Sequence, residues 1–164
     1  MRWLIALLAL AGVVVGGLAL REHYRVGASP CSINEKWDCG TVNKSPYAAL
    51  GGVFDLATNN HSLEPENTRR LPWLRNIPVA VVGMVGYLML AILAVMKRLR
   101  LLASLSVLAM LFSLYLAHIE KDVLEVWCIY CVMSLGIITL ITLLSAVAVL
   151  IDMKKANATR TSAA

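Results

Sequence analysis

The stretch VWCIYCVMSLGIITLITLLSAVAVLI, residues 126–151, decides the fold. It holds no charged side chain, and a helix needs about 20 apolar residues to cross a hydrocarbon layer of ~30 Å. Working outward, three more runs of the same kind precede it: 101–118, with Ser104, Ser106 and Ser113 as polar members; 77–96; and 3–20. All fall within or close to the usual range of about 17–25 residues. Strands are excluded, because lipid cannot satisfy open backbone groups and alternating segments of about ten residues are absent. The expected fold class is an all-α membrane protein: a four-transmembrane-helix bundle with an extracytoplasmic loop, 21–76, whose short helices form a lid. The composition agrees. Of 164 residues, 59% are hydrophobic and 15% charged, with mean hydropathy +0.73, where a soluble domain carries about 25% charged residues. Disorder and an ordinary soluble enzyme do not fit these values.

Charge placement orients the spans. Arg2, the Lys97-Arg98-Leu99-Arg100 turn, Lys154, Lys155 and Arg160 put seven basic residues against the single acid Asp152 on one side. Loop 21–76 and the link Ile119–Glu125 hold eight basic residues and nine acids. Basic flanks of short connections face the cytoplasm, so both termini are expected inside and the long loop outside. The net charge of +5 is thus spent on topology, and no domain exists to carry a nucleic-acid patch. Residues 1–155 are read as one membrane domain and 156–164 as a polar cytoplasmic tail, with Asn157–Ala164 expected to be disordered.

The first run is longer than a signal-peptide core of about 7–15 residues and lacks a clear small-x-small cleavage site, so it reads as a retained anchor. Gly12 and Gly16 form a small-xxx-small pair suited to close helix packing. In the outer loop, Ser29-Pro30 and Ser45-Pro46 each place a capping hydroxyl before a proline suited to a first helical position. Tyr47-Ala48-Ala49-Leu50 and Val53-Phe54 are apolar enough to lie on the bilayer or over the bundle mouth. Leu71-Pro72-Trp73-Leu74 reads as interfacial, with Trp73 an anchor.

The four cysteines narrow the chemistry. Cys31 and Cys39 are spaced C-x7-C in the loop; Cys128 and Cys131 form C-x2-C at the start of the last span. All four fall outside or at the outer membrane face, where disulfides form. Zinc would need four converging thiolates and normally a second C-x2-C or histidines. Two structural disulfides are the bland alternative, which suits Cys31–Cys39 as a loop staple. It suits Cys128–Cys131 poorly, because so small a loop stabilises little. That spacing is instead a redox dithiol. Counted from Glu125, Cys131 should lie ~9 Å along the helix, with Cys128 one turn nearer the surface on the same side. Two dithiols in series, one mobile and one embedded, make a two-electron wire by thiol–disulfide exchange. Its acceptor must be lipophilic and take two electrons, which points to a quinone.

At these residues the chain resembles the vitamin K epoxide reductase family in its bacterial form. Four spans, the C-x7-C loop pair, C-x-x-C on the last span, Ser45 six residues after Cys39, and Gly83-x-x-x-Tyr87 in the second span carry the resemblance. It implies a four-helix bundle around a quinone in the bacterial inner (cytoplasmic) membrane. It also implies a function: reoxidation of a periplasmic thioredoxin-fold dithiol oxidase, with electrons passed to ubiquinone or menaquinone. The 164 residues leave no room for a fused partner, so the partner is expected in trans. By position, Cys31 would exchange with the partner, Cys39 would relay to Cys128, and Cys131 would deliver electrons to the quinone, with Ser45 near the ring. Val79 stands where animal enzymes place a quinone-binding asparagine, and Leu135 where they place a tyrosine. Plain quinone reduction is therefore expected rather than epoxide reduction. The pocket so assigned comprises Ser45, Val79, Gly83, Tyr87 and Leu135, with no metal.

Tyr130 and Trp127 are read as interfacial anchors that could flank the ring, and His118 as a solvated interfacial histidine. His23 and His61 receive no role. Asp38, beside Cys39, reads as a solvated loop charge. The alternative from another class is a non-enzymatic membrane assembly protein with two structural disulfides. A transporter is disfavoured because no span carries a charge near its centre. A DsbB-type enzyme would share the chemistry but place its C-x-x-C in an early outer loop.

Overall fold

The computed structural model describes residues 1–27, 29–57 and 76–161. Four long helices dominate them: α1 (Arg2–Tyr24), α4 (Val79–Val95), α5 (Leu99–Ile119) and α6 (Ile129–Thr161). Between α1 and α4 lie α2 (Cys39–Lys44), a 3-10 turn (Pro46–Ala48) and α3 (Leu50–Ala57). No β-strand occurs among the described residues, only isolated bridges. Three helical segments are long and apolar enough to cross a membrane, namely Arg2–Tyr24, Leu99–Leu124 and Ile129–Lys155. The apolar α4 has 17 residues, or ~26 Å of rise, a little short of a ~30 Å hydrocarbon core.

The bundle closes on small residues. α1 packs most extensively along α4, and α6 packs against both α5 and α1. A side chain at Gly12 would put its Cβ 2.6 Å from the Tyr87 ring, and one at Gly16 would stand 2.7 Å from Met84 Cγ. Only a residue without Cβ lets the two backbones approach this closely. Ile5, Ala9, Leu90, Ala94, Leu102, Ile138 and Ile141 fill the rest of the core. Between α5 and α6, the buried Ser106 and Ser145 hydroxyls bond at 3.0 Å, and Thr142 Oγ1 donates to the Ser106 carbonyl at 3.1 Å. The outer faces are also apolar: Leu7, Val14, Val85, Leu88, Leu108, Leu111, Leu140 and Leu143 are all exposed. Helices that are apolar all round fit a lipid surround.

Several boundaries differ from the sequence reading. α6 begins at Ile129 rather than Val126, because Trp127 bridges Trp37 of the loop while the Val126 and Cys128 N–H groups bond Glu120. It also runs on to Thr161 with no glycine or proline to stop it, so the segment expected to be a disordered tail is helical through that residue. Ser29-Pro30 starts a turn, with Ser32 N–H donating to the Ser29 carbonyl at 3.2 Å, and no helix follows. Leu71-Pro72-Trp73-Leu74 and His61 lie outside the described residues, as does the side chain of Phe54.

Candidate redox site and cavity

The loop is tied to the start of α6 by its backbone. Asn34 Oδ1 accepts from the Lys36 and Trp37 N–H groups, each at 3.0 Å, turning the chain back. Trp37 then bridges Trp127: Trp127 N–H donates to the Lys36 carbonyl at 2.8 Å and Asp38 N–H to the Trp127 carbonyl at 3.1 Å. The two indoles lie 6.4 Å apart. One residue beyond the bridge on each strand stand Asp38, which caps α2, and Cys128, so Cys39 and Cys128 enter the same interior. Asp38 Oδ1 accepts from Gly40 N–H at 2.9 Å, and the Ser32 and Thr41 hydroxyls also donate to the carboxylate. The Ser32 hydroxyl, then that of Thr41, holds the Asp38 carboxyl below its ordinary 3.8. Asp38 is therefore a helix cap, not a solvated loop charge.

Cys31 and Cys39 are joined in a disulfide with Cα atoms 5.8 Å apart, whereas Cys128 and Cys131 are free thiols. Cys31, Cys39, Val42 and Cys128 form one buried cluster, and Cys131, Tyr130 and Leu124 pack on it. Cys39 and Cys128 are both fully buried. Because α6 starts at Ile129, Cys131 is its third residue and lies within the first helical turn, not ~9 Å along a helix running from Glu125. Cys128 immediately precedes the helix, and its carbonyl accepts from Val132 N–H at 3.0 Å.

Two polar side chains without an assigned role, Asn43 and Glu120, reach Cys128, and His23 supports the first. Asn43 is buried; its Nδ2 donates to the Cys39 carbonyl at 2.9 Å and lies 3.4 Å from Cys128 Sγ. His23 Nδ1 holds the Asn43 carbonyl from α1. Glu120, 4% exposed, accepts the Cys128 N–H on Oε2 at 3.0 Å, which holds its carboxyl at the C-x2-C pair. It heads a π-helical turn, Glu120–Leu124, that ends at Glu125 in the left-handed region (φ 54). On the loop side, Ser29 Oγ donates to the buried Glu22 at 2.7 Å and accepts from Cys31 N–H at 3.4 Å. Some signal for these existed. His23 continues the Gly12, Gly16, Ala19 face of α1, and Asn43 stands one turn after Cys39. Glu120 had none, because only the π turn aims it inward.

A cavity of about 590 Å3 opens beside this cluster. All five assigned pocket residues, Ser45, Val79, Gly83, Tyr87 and Leu135, line it together with Cys131. Cys31, Cys39 and Cys128 do not. Tyr87 is anchored: its hydroxyl donates to the Ser134 carbonyl at 2.8 Å and lies 2.9 Å from Ser134 Oγ. Nothing stands within 4 Å of a Cβ built on Gly83 or Gly86, so the α4 wall is open there. Tyr47, Ala48 and Leu50 line the cavity from the loop, and α3 folds back so tightly that a Cβ at Gly52 would stand 2.3 Å from the Pro46 carbonyl. The Ser45 hydroxyl donates to the Val42 carbonyl at 2.8 Å, so its proton is directed at backbone rather than at sulfur. Trp127, Tyr130 and His23 also line the wall, while His118 is exposed and paired with Asp122. Among the described residues, no group of three His, Cys, Asp or Glu side chains is arranged to hold a metal ion.

No curated protein matches the chain. The model of the Vitamin K epoxide reductase family matches residues 3–146, a segment that takes in all four cysteines and every cavity residue named above. With that match, the helical bundle and the cysteine cluster at one wall of its cavity, the chain belongs to the vitamin K epoxide reductase family of membrane oxidoreductases.

Proposed function

We propose that this protein is a thiol:quinone oxidoreductase of the bacterial inner membrane. It crosses the bilayer four times, α4 being the short span, with both termini and the Lys97–Arg100 turn in the cytoplasm. Its loop dithiol reoxidises a periplasmic thioredoxin-fold protein supplied in trans, which supports disulfide formation in other proteins. One observation carries the reading: the cavity has Cys131 on its wall, while Cys39 and Cys128 are buried in the adjoining cluster. The family's quinone-related redox chemistry supports it.

The cavity fits such an acceptor. Its volume lies in the range of about 300–1,000 Å3 typical of ligand pockets, its lining is mostly aliphatic and aromatic, and Gly83 and Gly86 leave a flat wall. Ser45, Val79, Gly83, Tyr87 and Leu135 would hold ubiquinone or menaquinone there. When bound, the quinone supplies a lipid-soluble sink for two electrons and two protons. The remaining steps belong to the protein. The partner's thiolate attacks the Cys31–Cys39 disulfide at Cys31, and the partner's second thiol resolves the mixed disulfide, leaving the loop pair reduced. Cys39 thiolate then attacks Cys128 and expels Cys131 toward the cavity; Cys31 attacks Cys39 and frees Cys128. The resulting state, loop pair joined and inner pair free, is the one observed. Val79 and Leu135 offer no polar side chain to an epoxide oxygen, so quinone reduction alone is the proposed activity.

The cysteines test this by their division of labour. Cys31→Ser and Cys39→Ser should block turnover with a protein dithiol yet spare quinone reduction driven by a small membrane-permeant dithiol. Cys131→Ser should abolish both. Equal loss of the small-dithiol reaction in the loop variants would refute the relay.

A further inference from the structure

Glu120 is the acidic side chain on the cavity lining and has no part in the exchange just described. Burying a carboxylate is costly unless hydrogen bonds or a cation compensate. Among the described residues, no Lys, Arg or His side chain pairs with it. Its carboxyl accepts the Cys128 N–H at 3.0 Å, three residues before Cys131, and it lines the same cavity as Cys131. The other titratable groups on that wall are His23, Tyr47, Tyr87 and Tyr130; Lys121, Asp122 and Glu125 share its turn but point outward. A buried carboxyl fixed at the Cys128 backbone, on the same apolar cavity as a sulfur that leaves as an anion, is placed for general acid–base work.

Resting on the proposed function, we infer that Glu120 is a catalytic acid–base that shares one proton with Cys131. When Cys39 thiolate forms its bond to Cys128, the Cys128–Cys131 bond breaks and Cys131 leaves with the electron pair. The Glu120 carboxyl gives this thiolate its proton, which avoids two adjacent buried anions. Before Cys131 releases its electrons to the quinone and the Cys128–Cys131 disulfide re-forms, the Glu120 carboxylate takes the proton back. Glu120 is regenerated in each cycle. The two protons that reach the acceptor balance the two lost by the partner's dithiol.

Glu120→Gln separates this role from mere positioning, because the amide oxygen still accepts the Cys128 N–H but cannot carry the proton. In full-length protein reduced by a small dithiol without quinone, the infrared difference between disulfide and dithiol states should contain a carboxyl carbonyl band. That band should vanish in Glu120→Gln and in Cys131→Ser. With partner and quinone present, Glu120→Gln should slow turnover about 100-fold, and Glu120→Asp should recover part of the loss. A difference spectrum unchanged by Glu120→Gln, or turnover within about twofold of the native protein, overturns the inference. Since the infrared signal needs no quinone, failure of the quinone reaction in the native protein would count against the proposed function and leave the proton-sharing test intact.

Discussion

Asn43→Leu is the substitution whose effect can be worked furthest from the geometry. Leucine keeps the γ-branched shape of asparagine while both Nδ2 contacts disappear, and its bulkier methyl groups crowd the buried site. The contact with the Cys39 carbonyl, 2.9 Å, joins neutral partners across one helical turn and contributes about 1 kcal/mol. The contact with Cys128 Sγ, 3.4 Å, is worth more when the sulfur is an anion, about 1.5–3 kcal/mol. Only the second strengthens as Cys128 becomes a leaving group. At 1.36 kcal/mol per factor of ten, exchange between the loop pair and the inner pair should slow about 10- to 150-fold, with stability reduced by about 1 kcal/mol for the lost bond and by about 1–3 kcal/mol for the crowding. The assay is single-turnover exchange in purified protein, quenched with acid and resolved by alkylation mass shift. An unchanged exchange rate would remove Asn43 from the relay. Slow exchange in Asn43→Leu that Asn43→Ala, which removes the amide without crowding, does not share would make its role structural.

Asp38→Ala should cost about 0.5–2 kcal/mol of α2 stability and speed reduction of the Cys31–Cys39 disulfide, whereas Asp38→Asn should retain most of the cap. Because its carboxyl is held below 3.8 in the folded protein, the contribution is fully present above that value and is lost as pH falls below it; an acid melt that leaves loop reactivity unchanged would contradict this. Gly12→Val should drive a side chain into the Tyr87 ring, costing about 1–3 kcal/mol by overpacking and about 1 kcal/mol for each Tyr87 hydroxyl bond broken. It should lower the melting temperature in detergent more than Tyr87→Phe does. Cys39→Ala should leave Cys31 a free thiol that attacks the oxidised partner's disulfide with no Cys39 to displace the partner, so an adduct with the oxidised thioredoxin-fold partner should accumulate on non-reducing gels; absence of any adduct would favour a structural role for the loop disulfide.

The sequence made the long helices readable because uninterrupted apolar runs have few alternatives. The two cysteine pairs were equally plain from their spacing. Gly12 and Gly16 announced a close helix contact, and α4 meets α1 at both. The start of α6 was not legible, since Trp127 is held out of the helix by Lys36 and Asp38, far away in the chain, and its neighbours Val126 and Cys128 by Glu120. The pairing of Trp127 with the loop brings Cys128 to Cys39 and moves Cys131 to the first turn of the helix. Ser29 misled for a related reason: its hydroxyl is spent on Glu22 and on the Cys31 backbone, not on a helix. Ser45 similarly bonds Val42, while the amide that reaches sulfur comes from Asn43. Asn43 and Glu120 acquire their places from tertiary geometry, a short helix capped by Asp38 and a π turn, which no local pattern encodes.

The most direct test of the central claim is reconstitution of the full chain in lipid vesicles with a reduced thioredoxin-fold dithiol outside and a quinone in the bilayer, following quinol by absorbance. The account predicts one quinol formed per partner dithiol oxidised, dependent on all four cysteines. Oxidation of the partner without quinol formation, or quinol formation that survives Cys131→Ser, would contradict it.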